Sequence, residues 1–222
     1  MKKFYFSIGV FSLLWMGEIY AYKVDVKEKW PSPTPWIKDR LTDFLDCMPK
    51  RGRIVEVGVQ KGEFASHILD KTNPKQLFLV DCWEHQESGI YNDPDANISN
   101  KMHKKLYRKT KKRFAWDSRV VIIKLYSEEA AKKFEDESLD MVYIDANHSY
   151  EAVKKDLSIW WPKIKKNGFL AGHHYIKKDN WGVVQAVNEF LNENELYFDY
   201  LTTENNSESW AIQKPNEFGE LL

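Results

Sequence analysis

The chain has 222 residues, with 33 Lys+Arg balanced by 33 Asp+Glu, 43% hydrophobic residues and 14% aromatics. That length and apolar content give a sizeable core and exclude a disordered or low-complexity polypeptide. Zero formal charge argues against a chain-wide nucleic-acid footprint, and two distant cysteines, Cys47 and Cys82, exclude a disulfide scaffold and a zinc knuckle.

Met1 to Ala21 carries two lysines, an apolar run from Phe4 to Met16, and a small residue at a possible cleavage point. This has the shape of a secretory signal or weak anchor, and the apolar run is short for a membrane span. Glu18, Ile19 and Tyr20 suit a cleavage site poorly, so a packed N-terminal helix is the alternative. The Pro-rich stretch 29–36 separates this segment from the body. The expected organisation is an N-terminal anchor-like segment and linker, 1–35, and one domain, 36–222.

In the body, Ile37, Leu41, Phe44 and Leu45 have helical spacing and predict a helix over Ile37–Cys47. Arg53–Val59 reads as a buried strand and Gly62–Leu69 as the start of a helix. Strands follow at Gln76–Val80, ending at Asp81, at Val120–Leu125 and at Leu139–Asp145. Between them, Glu84–Asn100 is irregular and predicts a surface loop, and Lys101–Arg113 predicts a basic helix with a solvated face. Tyr150, Val153, Leu157, Trp161 and Ile164 mark one helix face. Gly168–Gly172 is a strand, Val183–Leu191 a helix, and two late strands lie near Leu196–Leu201 and Trp210–Ile212. Strands alternating with helices, and strands that are almost continuously apolar, predict an α/β fold with a largely parallel sheet covered on both faces.

Ligands of open α/β sheets bind beyond the carboxyl ends of the strands. That rule selects Glu56, Gly58 and Gly62 after the first strand, Asp81 after the second, Asp145, Asn147 and His148 after the fourth, and His173, His174 and Tyr175 after the fifth. The first turn has Gln60 and Glu63 where a dinucleotide fingerprint needs glycine, which disfavours a nicotinamide dehydrogenase. Asp81 is either a helix cap or a carboxylate for the two hydroxyls of a ribose. Asp145 and His148 leave the strand three residues apart, with Ser149 placed to cap the following helix. Three imidazoles and a carboxylate at adjacent strand ends point to a general base, a metal site, or both.

VEVGVQKGEFA, LFLVDCWEH, SLDMVYIDANHSYEAVKKDL and GFLAGHHY, in that order, resemble a class I S-adenosylmethionine-dependent methyltransferase, and more narrowly the macrocin O-methyltransferase-like group that methylates sugar hydroxyls. The resemblance covers roughly residues 36–215. It implies a Rossmann-like three-layer sandwich with a seven-stranded, mostly parallel sheet. It also implies S-adenosylmethionine contacts from Glu56, Gly58, Gly62 and Asp145, with Asp81 on the ribose and Cys82, Trp83 and Ser127 near the adenine. Asp145, with His173 and His174, is the position at which metal-using relatives hold a divalent cation. Those relatives have acids, or His followed by Asp, where this chain has His173-His174. That exchange suits magnesium poorly.

The expected activity is therefore transfer of a methyl group to a hydroxyl, in a sugar of a glycan or glycoconjugate, with His148 or His174 as base and no metal. Alternatives are a phenolic or catechol-like acceptor, or a non-catalytic methyltransferase-like binding module. Trp83 or Trp181 is expected to stack on cofactor or sugar, and no nucleic acid is expected as partner. Because S-adenosylmethionine is an intracellular metabolite, residues 1–21 are expected to anchor or pack rather than direct export. That places the protein in the cytoplasm or on the cytoplasmic side of a membrane.

Overall fold

The computed structural model describes residues 36–37, 43–87, 91, 93, 96–176, 181–202 and 208–216. The expected signal or anchor segment lies outside them. The elements in chain order are β1 (Trp36–Ile37), a 3-10 turn (Asp43–Cys47), β2 (Arg53–Val57), α1 (Glu63–Thr72), β3 (Gln76–Asp81), α2 (Asn100–Arg113), β4 (Val120–Lys124) and α3 (Ser127–Ala131). They continue with β5 (Leu139–Ile144), α4 (Tyr150–Trp160), a 3-10 turn (Trp161–Lys163), β6 (Ile164–Gly172), α5 (Val183–Glu193), β7 (Tyr200–Thr202) and β8 (Trp210–Gln213). The predicted seven strands from β2 to β8 are present. The two-residue β1 adds an eighth at the edge beside β7, in the order β1-β7-β8-β6-β5-β2-β3-β4.

β4, β3, β2, β5 and β6 run parallel, and β8 is inserted antiparallel between β6 and β7. The central strands are apolar throughout because both faces are covered. On one face Val55, Val57, Val80, Val142, Ile144 and Leu170 pack with α3, α4 and α5. On the other, Ile54, Leu77, Leu79, Met141 and Tyr143 pack with the first 3-10 turn, α1 and Phe114. Trp160 is fully buried in the first of these layers. Trp161 is half-buried against its margin, where its ring meets Phe190 edge-on.

Three expectations are corrected. In place of a helix over Ile37–Cys47, the described residues form an edge strand and one 3-10 turn. Of the periodic apolar residues there, Phe44 and Leu45 are buried by that turn, and Ile37 lies in the edge strand. Ile164 is the first residue of β6, not the end of a helix face, because the 3-10 turn at Pro162 ends the helix and turns the chain into the sheet. β6 is thus nine residues long, its polar start hidden from a reading that looks for apolar runs. A short helix, α3, also follows β4, starting at Ser127.

β2 lies between β3 and β5, so the chain leaves β2 toward one side of the sheet and returns to build the other. This topological switch opens a crevice at the carboxyl ends of β2 and β5. Gly58 sits there with φ +89°, and a Cβ on it would lie 1.9 Å from the carbonyl oxygen of Asp145. Replacing Gly58 with Ala is expected to destabilise the fold by more than about 2 kcal/mol, through both the clash and the left-handed backbone. Urea denaturation of the variant measures this.

Candidate active site

A cleft of about 790 Å³ opens at this switch point. Its floor is the β2 turn, Val57–Lys61, and its walls come from the ends of β3, β4 and β5, the start of α2 and the middle of α4. The turn is held by the sheet itself: the Gly58 amide donates to Val80 O at 2.9 Å, and the Asp145 amide to Val57 O at 2.7 Å. Asp81 fixes it further. Its Oδ2 accepts from the Val59 and Gln60 amides, both at 2.9 Å, and its Oδ1 from the Trp83 amide at 2.6 Å. Three donors leave this carboxylate little free accepting capacity, so it both shapes the turn and borders the cleft.

At one end of the cleft, Asp145 meets three imidazoles. Its Oδ1 lies 3.2 Å from His148 Nε2 and 3.2 Å from His174 Nδ1, and those two nitrogens are 3.1 Å apart. His173 Nδ1 approaches Asp145 Oδ2 at 3.6 Å. Burial would raise the Asp145 carboxyl, but hydrogen bonds from His148, His173 and His174 outweigh it and hold the group well below the usual carboxylate range. Asp145 therefore stays an anion, with 29% of its side chain open to the cleft. Burial lowers His174, as do the neighbouring imidazoles, against the pull of Asp145. His174 also sits at φ +58°, a left-handed conformation that turns its ring back toward Asp145.

Two residues that sequence patterning does not reveal complete this end. Asp93 is 8% exposed, and its Oδ2 lies 3.4 Å from His148 Nδ1, on the far side of the ring from Asp145. Tyr91 donates its hydroxyl to Ala146 O at 3.0 Å. Both come from the irregular segment after β3, which carries no periodicity to mark them. Trp181 covers the cluster, its ring 4.3 Å from that of His148 and 4.7 Å from that of His174.

At the other end, the Trp160 indole donates to Ser127 Oγ at 2.8 Å, and Ser127 in turn donates to Asp156 Oδ1. Burial pushes the Asp156 carboxyl up to about 7, against the lowering effects of Ser127 and Lys155. His103 borders the same cleft from α2, nine-tenths buried, and its Nε2 has no hydrogen-bond partner. Among the residues picked out by the strand-end rule and the family motifs, Gly58, Asp81, Cys82, Ser127, Asp145, Asn147, His148 and His174 border the cleft. Glu56 lies beneath it, 2% exposed, with its Oε2 unpaired and its carboxyl raised by burial and then by Asp145 and Asp81. Gly62 starts α1 against Phe114, and His173 stands behind Asp145. Trp83 does not reach the cleft: it is 2% exposed, packs its ring at a tilt against Tyr107 and donates its indole N–H to Gln60 O at 2.7 Å. Its bulk fills the core behind the turn, so the exposed neighbours at this strand end are Cys82 and Glu84.

A methyltransferase-domain family model matches residues 55–175, more than half the chain, and the protein belongs to that methyltransferase family. The uncharacterized protein y4gI of Sinorhizobium fredii is 26% identical over 142 residues, covering 60% of this chain, which spans only 14% of that relative. Similar solved structures include a protein of Corynebacterium glutamicum, with TM-score 0.56, 14% identity, and 83% and 84% of the two chains covered. A candidate methyltransferase of Streptococcus mutans in complex with SAH gives 0.55 at 14% identity, covering 78% of this chain and 94% of that one. The O-methyltransferase NovP gives 0.53 at 16%, covering 74% and 72%. At these identities the likeness shows the shared Rossmann-like fold.

Asp156 is neutral in the folded state over a range where it ionises in the unfolded chain. Its stabilising contribution is complete below its ordinary value of 3.8 and is lost as pH rises through about 7. Relative to Asp156→Asn, the wild type should therefore lose up to about 1.4 kcal/mol of stability per pH unit across that window, and no more above it. Urea denaturation of both proteins at a series of pH values measures the slope.

Proposed function

We propose that this protein is an S-adenosylmethionine-dependent O-methyltransferase that methylates a sugar hydroxyl, with His148 as general base. The observation that carries this reading is His148 itself. It stands at the cleft, with Nε2 3.2 Å from Asp145 and Nδ1 3.4 Å from Asp93, at the strand end where a methyl acceptor would meet the donor. The cleft suits the donor in size, about 790 Å³, and in a lining that mixes polar residues such as Gln60, Asp81 and Ser127 with apolar ones such as Val57, Val80 and Leu125.

When bound, S-adenosylmethionine supplies a methyl group already activated on a sulfonium. The residues of the chain then have three tasks. The anionic Asp145 favours the positive charge of the sulfonium beside it. Asp93 stands 3.4 Å from His148 Nδ1, the nitrogen that carries the ring proton in this reading, so Nε2, beside Asp145, is the basic nitrogen. His148 takes the proton of the acceptor hydroxyl as the oxygen–methyl bond forms and the sulfur–methyl bond breaks, leaving the methyl ether and S-adenosylhomocysteine. An alkyl hydroxyl is a weak acid, so proton removal accompanies attack rather than preceding it. Trp181 offers an aromatic face, and Gln86 and Asn147 offer amides, the combination that binds sugars by stacking and hydrogen bonding.

A second reading rests on one observation. Asp145 Oδ1, His148 Nε2 and His174 Nδ1 form a triangle with edges of 3.1–3.2 Å, about the spacing of donor atoms that share one transition-metal ion at 2.0–2.1 Å. Two imidazoles and one carboxylate suit zinc, iron or manganese better than magnesium. Such an ion would polarise the acceptor oxygen, and His148 would be a ligand rather than a base.

His148→Ala is expected to lower turnover by about 10²–10⁴-fold on a panel of sugar and phenolic acceptors while S-adenosylhomocysteine affinity stays within about twofold. Calorimetry and a methyl-transfer assay separate the two quantities; failure of the wild type to bind either S-adenosylmethionine or S-adenosylhomocysteine would refute the enzyme reading. Activity is further expected to survive EDTA. Loss on chelation, with recovery on adding Mn²⁺, Fe²⁺ or Zn²⁺, would replace the base mechanism with the metal one.

A further inference from the structure

We propose that the outer face of α2, together with Trp116, is a docking surface for an anionic lipid membrane. The sequence of the helix, NKMHKKLYRKTKKR, holds eight cations and no acid. Its inner side is fixed by the protein: His103 and Thr110 are buried, Leu106 and Tyr107 are half-buried, and Phe114 closes the helix against the core. At 3.6 residues per turn, the opposite side presents Lys101, Lys105, Arg108 and Lys112 as one stripe about 16 Å long. All eight cations of the helix are exposed. Among the described residues, the ion pairs of the molecule are made by other lysines and arginines, from Lys61 to Lys214, and none by these eight. Like charges three and four residues apart repel, so this density is a cost to the folded protein, and the contacts of Lys111 with the Tyr107 ring and of Arg113 with Ser66 Oγ neutralise none of it. In a chain whose formal charge is zero, it also leaves the rest of the protein net acidic.

Trp116 is an independent observation. It follows the helix by three residues and is 98% exposed, the one large apolar side chain among the described residues left almost wholly in water. Tryptophan prefers the boundary between headgroups and acyl chains, where its ring is desolvated and its N–H keeps a partner. A plane of anionic headgroups meets a convex lysine-rich crest along its whole length, and each cation near such a surface contributes favourably. A nucleic-acid strand asks for a groove with aromatic rings interleaved among the cations. The crest is convex, Tyr107 and Phe114 pack toward the core, and the exposed Trp116 stands beyond the end of the helix rather than among its cations.

The position of the helix gives the docking a use. Its inner side supplies His103 to the cleft, and Thr110 Oγ1 donates to Gln60 O of the β2 turn at 2.9 Å. A membrane held on the outer side therefore lies about one helix diameter, about 10 Å, from the cleft wall. That suits an acceptor presented on a lipid. The surface itself does not depend on which reaction the cleft performs.

The test is co-sedimentation of the full chain with vesicles of phosphatidylcholine alone and of phosphatidylcholine with phosphatidylglycerol, at low and physiological salt. Binding is expected to the anionic vesicles, weakening steeply with salt, and about fivefold weaker for each crest cation removed. The variant Lys101→Glu, Lys105→Glu, Arg108→Glu, Lys112→Glu should lose it by more than a hundredfold, and Trp116→Ala should weaken it by about tenfold. An unchanged thermal midpoint shows that the quadruple variant is folded; if it is not, Lys105→Ala with Arg108→Ala serves in its place, with about a 25-fold loss expected. Equal vesicle binding by wild type and crest variants would place all membrane contact elsewhere, including in residues 1–21, and overturn the proposal. Binding of a single-stranded or duplex RNA, with none to anionic vesicles, would overturn it in favour of a nucleic-acid surface.

Discussion

Gly58 and Asp145 end adjacent parallel strands, and their backbones approach so closely that a methyl group on Gly58 would overlap the Asp145 carbonyl. This contact sets the spacing between the two halves of the cleft. It places the glycine turn after β2 directly beside the strand end that carries Asp145 and His148. The Asp81 carboxylate then locks the turn by accepting three backbone amides, so the positions of Val59, Gln60 and Trp83 follow from one side chain. Because these bonds run from charged acceptor to backbone donors, they are stronger than neutral ones and hold the loop without any ligand present.

From that fixed edge the polar groups divide by environment. Asp145 remains ionised because imidazoles surround it, whereas Asp156 and Glu56 are pushed toward their neutral forms by burial. One cleft thus keeps a negative charge at the Asp145 end. At its other end it keeps a carboxyl, wired to Ser127 and Trp160, that is neutral or charged according to pH. The same residue type performs two roles, and the difference comes from neighbours rather than from chemistry intrinsic to the side chain.

The sheet was legible in the sequence because strands buried on both faces must be apolar on both. β2, β3 and β5 obey that rule, and their ends lead directly to the glycine turn, Asp81, Asp145 and His148. β6 begins with Ile164-Lys165-Lys166-Asn167, which fits no apolar run, and so its first half was hidden. The site was legible only where a strand delivers it. Asp93 and Tyr91 arrive from an aperiodic segment, and Asp156 is a helical acid that pattern alone assigns to solvent. His103 is an imidazole in a strongly basic stretch, where charge masks burial. Trp83 shows the converse error: its place at a strand end was right, but its size sends the ring into the core, where the indole N–H finds Gln60 O.

The placement of β8 shapes how the molecule must assemble. β8 follows every other strand in the chain, yet it lies inside the sheet, paired with β6 on one side and β7 on the other. Until β8 arrives, β7 has no neighbour through which to join the main sheet, and Phe169, Leu170 and Ala171 present an open apolar edge. A partly folded chain holding β2 to β6 would therefore expose a template for pairing with other chains, the situation in which sheets aggregate. Productive folding depends on the late hairpin closing that edge faster than a second molecule can.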